Sequence, residues 1–265
     1  MRPEKVPIYL QKIGDRIARA IDPDHHAREL DATIVRTGDA SVTLDLTLGD
    51  KTARARLFGD DAASISAFER EHQALRVLHA TAVPRLLLAL KSPRFIMTDV
   101  HDGRVLAGML NPATLTMRAE HLGQWFGLLA NVAPSAPGTG SWADYAMEYK
   151  GDFNPDILER HMDLLRDVPL GKTTLALNDG SPDHFILGPD KRLYAVSLEY
   201  CRMKPEGWDL ILAARALFHR FPDRLREISD ALVRGYLLSA RKPGLGTGFA
   251  DIAVALVLAG TLAPA

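Results

Sequence analysis

Short apolar runs separated by turn residues fill residues 175–200, and this stretch restricts the possible folds most. Runs of this length, bounded by Gly, Pro and Asp as at 188–190, are typical of strands and hairpins rather than of helices. The polar loop before the hairpin carries Asp179, Asp183 and His184. Carboxylates on a loop held between strands are well placed for acid–base or metal chemistry. The sequence therefore predicts a functional loop beside a hairpin.

A second pattern predicts an antiparallel sheet in the first third of the chain. Apolar and polar residues alternate strictly over residues 42–48, which is the period of a half-buried strand. Candidate strands at 33–35 and 52–58 flank it across glycine-containing turns, which predicts a three-stranded meander. Two further runs, at 83–88 and 95–97, complete a predicted five-stranded sheet around one helix.

The remaining segments are predicted to be helical. Residues 7–21 have apolar side chains near helical spacing after Pro7, which suits the first turn of a helix. The chain after Gly103 is predicted to be helical to its end apart from the hairpin, with a loop at 134–141 and a helix capped by Asn154.

The composition and net charge of the chain indicate which class of protein it belongs to. The 265 residues are 47% hydrophobic and 25% charged, as in ordinary globular proteins. A formal net charge of −1 gives no electrostatic basis for binding nucleic acid or an anionic membrane. The single cysteine, Cys201, forms no internal disulfide and suits a reducing cytosol. With no signal-peptide pattern and no apolar run long enough to span a bilayer, we expect a cytoplasmic protein.

The loop and hairpin resemble the catalytic and metal-binding segment of the aminoglycoside-phosphotransferase family, which has a protein-kinase-like fold. That family typically reads H-G-D-x-x-x-x-N, a hairpin, and then I-D-W-E. On this pattern Asp179 matches the catalytic aspartate and Glu199 the final acid. Leu177 stands where the histidine is expected, His184 where the asparagine is expected, and Ser197 where the metal-binding aspartate is expected.

The resemblance extends to the predicted sheet and its helix. The family carries a phosphate-binding lysine on the third strand, and here Arg56 is its candidate replacement, with Arg54 as the alternative. The helix motif F-x-x-E-x-x-x-L is matched at 68–75, which makes Glu71 the expected ion-pair partner of that arginine. In the same way Asp209 matches an aspartate that braces the catalytic loop. The resemblance assigns four positions to nucleotide binding: Arg56, Glu71, Met97 and Asp99.

The predicted fold class is α+β, a two-lobed protein-kinase-like fold with a small antiparallel-sheet lobe and a larger helical lobe. Residues 1–29 are predicted to form an N-terminal helical extension. Residues 30–100 form the small lobe with its one helix. Residues 101–265 form the helical lobe that contains the catalytic-loop hairpin.

The resemblance implies ATP with a divalent cation as cofactors, and Asp183, His184 and Glu199 as metal ligands. Because losing one catalytic charge partner typically costs about 10²–10³-fold in rate, the replacements at 184, 197 and 56 together favour a pseudokinase-type protein. Such a protein would bind a small molecule or a protein partner. The alternative is an active ATP-dependent phosphotransferase with a rearranged metal site, acting through Asp179 on a small hydroxyl-bearing molecule.

Overall fold

The structure, a computed structural model, describes residue 4 and residues 6–24, 30–78, 83–149 and 153–261. Its contacts divide the chain into two units. The first comprises Met1–Asp102 together with Ser197–Tyr200, and the second comprises Gly103–Val196 together with Cys201–Ala265. The predicted N-terminal extension, residues 1–29, lies partly outside the described residues.

A five-stranded antiparallel sheet organises the first unit. Its strands are β1 (Leu30–Thr37), β2 (Ser41–Leu48), β3 (Lys51–Phe58), β4 (Leu86–Lys91) and β5 (Arg94–Thr98). They lie in the order β1-β2-β3-β5-β4, and every neighbouring pair is antiparallel. Two helices belong to the same unit, α1 (Val6–Ile21) and α2 (Ala62–Val77). The predicted five strands and the predicted helix at 7–21 are confirmed.

The two faces of this sheet differ because side chains alternate along each strand. On one face Val42, Leu44 and Leu46 are fully buried, and they share one hydrophobic core with Ala55 of β3 and Ile17 of α1. Successive residues of a strand point to opposite faces. The polar residues at 43, 45, 54 and 56 therefore lie on the other face, and α2 packs against β3, β4 and β5.

Seven helices occur in the described part of the second unit. They are α3 (Leu115–Val132), α4 (Trp142–Glu148), α5 (Pro155–Arg160), α6 (Met162–Asp167), α7 (Trp208–Arg220), α8 (Leu225–Ser239) and α9 (Phe249–Thr261). As predicted, Asn154 caps α5, accepting from the backbone N–H groups of Asp156 and Ile157. Each described helix of the chain is too short or too polar to span a bilayer.

The prediction that the second half is helical apart from one hairpin is wrong. Two three-stranded antiparallel sheets are present, with orders β10-β9-β6 and β11-β8-β7. Their strands are β6 (Arg104–Val105), β7 (Ser135–Pro137), β8 (Lys172–Ala176), β9 (Phe185–Leu187), β10 (Leu193–Ala195) and β11 (Arg202–Pro205). The predicted hairpin is β9–β10. Strand β7 lies in the predicted loop 134–141. Strands of two to five residues are too short to show a period in the sequence.

Helices α3 and α8 approach each other at glycines, which brings their backbones into contact. A Cβ atom on Gly123 would lie 2.0 Å from the carbonyl oxygen of Leu232, and one on Gly235 would lie 2.1 Å from that of Glu120. No side chain fits at such separations. The close packing of these two helices therefore depends on glycine at both positions.

We predict that Gly123→Ala lowers the free energy of unfolding by about 1–3 kcal/mol, because the added methyl group overpacks the α3–α8 contact. Urea denaturation of the purified variant measures this. The matched control is Gly14→Ala in α1, where the new Cβ meets nothing within 4 Å. Removing a helical glycine there should leave stability unchanged or raise it by about 0.5–1 kcal/mol. Equal effects at the two sites would contradict the described helix packing.

Candidate functional site

Arg56 lies at the centre of a buried polar cluster in the first unit. One terminal nitrogen, Nη1, donates to Oε2 of Glu71 and lies 2.5 Å from Oε2 of Glu199. The other, Nη2, donates to Oε1 of Glu199 at 2.7 Å and to the hydroxyl of Ser41 at 2.8 Å. The guanidinium of Arg56 thus holds both carboxylate oxygens of Glu199 in a bidentate pair, which is the strongest geometry for such a contact. The predicted pairing of Arg56 with Glu71 is confirmed.

Three separate elements of the first unit bring these side chains together. Arg56 points from β3 to the polar face of the sheet, and Glu71 lies on the buried face of α2. Glu199 comes from Ser197–Tyr200, the short segment that belongs to the first unit. Its backbone carbonyl accepts a hydrogen bond from Nε of Arg70 at 2.5 Å. Neither this role of Arg70 nor that of Ser41 was predicted, because both depend on tertiary contacts.

Burial makes the charges of this cluster interdependent. The side chains of Arg56, Glu71 and Glu199 are 14%, 6% and 13% exposed. Burial raises the pKa of Glu71 to about 7, against the opposing effect of Arg56 and with a further contribution from Glu199. Burial opposes the charged guanidinium of Arg56, yet the two glutamates raise its pKa above its ordinary value. Arg56 is therefore cationic, and one positive charge is shared by two carboxyl groups.

The alternative arginine forms a different pair. Nε of Arg54 lies 2.8 Å from Oδ1 of Asp45 on the neighbouring strand β2. The side chain of Arg54 is 32% exposed and that of Asp45 is 42% exposed. Arg54 does not contact Glu71 in any described hydrogen bond or ion pair. Because exposed pairs contribute little, Arg54 serves as the matched comparison for Arg56.

The other two positions assigned to nucleotide binding lie apart from Arg56. Met97 is fully buried in the core that the sheet shares with α1, so its side chain lies on the opposite face of the sheet. Asp99 accepts from the backbone N–H of Arg85 at 2.6 Å, and its own N–H donates to the carbonyl of Arg85 at 3.0 Å. Asp99 therefore ties the segment after β5 to the residue that precedes β4. Nucleotide binding by these residues stays a prediction.

Asp179, the predicted catalytic base, lies in the second unit on the loop after β8. Its Oδ1 accepts from the backbone N–H of Ser181 at 2.9 Å, and its Oδ2 pairs with Nδ1 of His184. Ser181 also caps a single 3-10 turn, Pro182–His184, which brings the histidine back onto the aspartate. Both carboxylate oxygens of Asp179 are thus engaged by its own loop.

The residues predicted to bind a metal also have partners within the protein. Oδ2 of Asp183 lies 2.8 Å from Nη2 of Arg220 on α7, His184 contacts Asp179, and Glu199 is held by Arg56. Among the described residues, no group of three or more His, Cys, Asp or Glu side chains is arranged to hold a metal ion. The part played by Arg220 was not predicted, since nothing in its local sequence marks it.

Asp209 accepts hydrogen bonds from the backbone of the loop that carries Asp179, as the resemblance implied. Its Oδ2 accepts from the backbone N–H of Leu177 and its Oδ1 from that of Asn178, both at 2.8 Å. Asn178 has a φ of 55°, and asparagine tolerates this left-handed conformation better than most residues. Burial raises the pKa of Asp209 to about 7 against these two hydrogen bonds, and the nearby charge of Asp179 adds to the rise.

We predict that Arg56→Ala lowers the free energy of unfolding by about 3–5 kcal/mol, because it leaves two buried carboxyl groups without their cation. Glu71→Ala should cost less, about 1–3 kcal/mol, since Glu199 still neutralises Arg56. Arg54→Ala, which breaks an exposed pair, should cost under about 1 kcal/mol. Chemical denaturation measures all three. The cluster would be contradicted if Arg56→Ala cost no more than Arg54→Ala.

The raised pKa of Glu71 also predicts how stability depends on pH. Between pH 4.5 and about 7 the folded protein holds a proton on Glu71 that the unfolded chain releases. The contribution of this group to stability is therefore present at low pH and is lost as pH rises through that window. Relative to Glu71→Gln, the free energy of unfolding of the wild type should fall from pH 4.5 to 7. A constant difference would contradict a raised pKa.

We predict that Asp209→Ala accelerates amide hydrogen exchange at Leu177 and Asn178, because their buried N–H groups lose their acceptors. Asp209→Asn keeps one oxygen acceptor and should show a smaller acceleration, confined to one of the two amides. Amide hydrogen exchange, monitored by NMR or mass spectrometry, distinguishes the two variants. Unchanged exchange at both amides in Asp209→Ala would show that Asp209 does not hold the loop.

Comparison with known proteins rests on solved structures. No protein-family profile and no curated protein matches the sequence. Macrolide 2'-phosphotransferase MphH from Brachybacterium faecium superposes with a TM-score of 0.63 at 17% identity, over 96% of this chain and 88% of that one. Choline kinase from Cryptosporidium parvum Iowa II gives a TM-score of 0.60 at 10% identity, over 93% and 84%. An aminoglycoside-3'-phosphotransferase of type VIII gives 0.53 at 17%, over 91% and 97%.

At these identities the likeness shows the fold alone. The chain has the protein-kinase-like fold that macrolide and aminoglycoside phosphotransferases share with choline kinases. The predicted fold class and the resemblance from which it came are therefore confirmed at the level of fold.

Proposed function

We propose that this kinase-like chain is a binding protein that does not transfer phosphate, a pseudokinase-type variant of the phosphotransferase fold. One observation carries the proposal: Arg56 donates to both carboxylate oxygens of Glu199. Glu199 is the acid that the resemblance assigns to the metal. In this chain a guanidinium holds it instead.

The chemistry of phosphoryl transfer explains why this contact matters. Catalysis depends mainly on positioning and on neutralising phosphate charge, usually with Mg²⁺ held on carboxylate oxygens. Ser197 replaces one expected carboxylate with a neutral hydroxyl, and its side chain is buried. The terminal nitrogens of Arg56, in the position of the phosphate-binding lysine, are committed to Glu71, Glu199 and Ser41. The chain therefore offers fewer carboxylate ligands for the metal ion and fewer cationic groups for the phosphates of a metal-bound triphosphate.

The loop around Asp179 supports the same conclusion. A general base needs a carboxylate oxygen within hydrogen-bonding reach of the substrate hydroxyl. Here Oδ1 of Asp179 accepts from Ser181, and Oδ2 pairs with His184. A substrate hydroxyl would have to compete with these contacts.

The donor set does not fit the divalent cation that the fold family implies. Magnesium prefers several oxygen ligands in octahedral geometry, whereas the described acids are engaged by Arg56, His184 and Arg220. We therefore derive no catalytic step through a metal. The ligand of the proposed binding protein is a small molecule or a protein partner.

The proposal predicts that the wild type does not turn over Mg·ATP at a rate distinguishable from buffer, because the metal-bound triphosphate lacks a neutralising site. A coupled assay of ADP release measures this. Asp179→Asn is the matched control, since contaminating activity would survive that substitution. Wild-type turnover that disappears in Asp179→Asn would overturn the proposal. Turnover with Mn²⁺ but not with Mg²⁺ would instead favour an active phosphotransferase with a rearranged metal site.

Restoring the residues that the resemblance expects tests whether the three replacements prevent Mg²⁺ from strengthening the binding of ATP. The triple variant Arg56→Lys, His184→Asn and Ser197→Asp returns all three positions to the residues that the resemblance expects. ATP binding by this variant should become tighter in the presence of Mg²⁺, whereas binding by the wild type should not respond to Mg²⁺. Calorimetric titration of both proteins provides the measurement. A wild type whose affinity rises with Mg²⁺ as much as that of the triple variant would contradict the account.

A further inference from the structure

A cavity of about 350 Å³ lies in the first unit, between helix α1, the end of β3 and the β4–β5 turn. This volume falls within the range of small-molecule sites, which is about 300–1,000 Å³. All three elements contribute polar side chains to its lining: Tyr9, Lys12 and Arg16 from α1, Asp60 after β3, and Ser92 and Arg94 at the turn. The family resemblance assigns no role to any of them.

Helix α1 directs two cations at this cavity. Tyr9, Lys12, Ile13 and Arg16 follow the spacing i, i+3, i+4, i+7, which places them on one face of a helix. Ile13 is buried in the core and holds this face against the sheet, whereas Lys12 and Arg16 are exposed. Like charges four residues apart destabilise a helix slightly. An anion bound between these two side chains would remove that repulsion.

A third cation lies on the opposite wall. Nη1 of Arg94 lies 2.7 Å from Oδ1 of Asp60 and donates to the backbone carbonyl of Gly59 at 3.5 Å. The side chain of Arg94 is 25% exposed and that of Asp60 is 82% exposed. Because an ion pair with so exposed a partner is weak, a more highly charged anion can compete with Asp60 for the guanidinium.

The charges that line the cavity do not balance. Three cations face a single carboxylate, that of Asp60, among the described lining residues. Within the described part of the chain, neither Lys12 nor Arg16 forms an ion pair. The excess of two positive charges matches an anion that carries two negative charges. Guanidinium groups bind tetrahedral oxyanions well, because their N–H groups are arranged to donate in pairs.

We propose that this cavity binds a compact oxyanion with two negative charges, namely a phosphate or sulfate group. Lys12 and Arg16 bind it from the helix, and Arg94 binds it from the turn. Asp60 repels it, and the same repulsion disfavours binding of weakly charged anions. The site is independent of whether the chain transfers phosphate, because the residues of the proposed catalytic replacement do not line it.

Titration with inorganic phosphate at about pH 8, monitored by the amide signals of Arg16 and Arg94 in NMR spectra, tests the proposal. Ionic strength is kept constant with NaCl. The wild type should show shifts that saturate, and Arg16→Gln should bind phosphate about fivefold or more weakly. The matched control is Arg19→Gln, which removes the same charge from an exposed position of α1 outside the cavity. It should change the affinity less than about twofold.

A variant with the opposite effect completes the test. Asp60→Asn removes the repelling carboxylate from an exposed position, and it should bind phosphate about three- to fivefold tighter than the wild type does. Acetate, which carries one negative charge, should bind the wild type at least about threefold more weakly than phosphate does.

Two sources offer the same chemistry, a free oxyanion and the phosphate group of an organic ester. Phenyl phosphate distinguishes them in the same titration. Tighter binding of phenyl phosphate than of inorganic phosphate supports an ester as the ligand, and equal or weaker binding supports the free oxyanion.

The proposal is overturned if phosphate produces no shifts beyond those of NaCl, if acetate binds as tightly as phosphate, or if Arg16→Gln and Arg19→Gln have equal affinity for phosphate. If Arg16→Gln does not fold, as judged by its NMR spectrum, the comparison of Asp60→Asn with the wild type decides. An affinity for phosphate that Asp60→Asn leaves unchanged would also overturn the proposal.

Discussion

The buried contact of Arg56 with Glu71 and Glu199 connects the separate parts of the first unit. It joins strand β3, helix α2 and the segment Ser197–Tyr200 through a single guanidinium. Buried charges of this kind are tolerated only when they are paired and hydrogen-bonded, and removal of the shared cation leaves uncompensated charge. The same contact therefore positions Glu199 and determines what else Glu199 can bind.

Under the proposed function, this arrangement replaces a bound metal ion with a cation that is part of the protein. In a phosphotransferase a carboxylate at such a position would hold a metal ion that neutralises phosphate. In this chain the neutralising charge is part of the protein, and it is bound on both oxygens of Glu199. In the second unit, His184 pairs with Asp179. Under the proposed function, these contacts occupy groups that a substrate complex would otherwise use.

The sequence predicted the features that local patterns determine and missed those that tertiary contacts determine. Alternation at 42–48 and the neighbouring candidate strands predicted the sheet, and the family resemblance of the motif around Glu71 predicted its helix and the pair with Arg56. Strands β7 and β11 were missed because three or four residues show no period. The pairing of Asp183 with Arg220 joins residues far apart in the chain, and no local signal in the sequence indicates it.

We propose that Arg56 takes the place of a metal ion on Glu199, and direct measurement of Mn²⁺ binding tests this. Electron paramagnetic resonance reports how much added Mn²⁺ remains unbound in solution. The wild type is expected to bind no more Mn²⁺ than Glu199→Gln does. Arg56→Ala is expected to gain a site that is lost again when Glu199→Gln is added to it. A wild-type site for Mn²⁺ that is lost in Glu199→Gln would contradict the proposal.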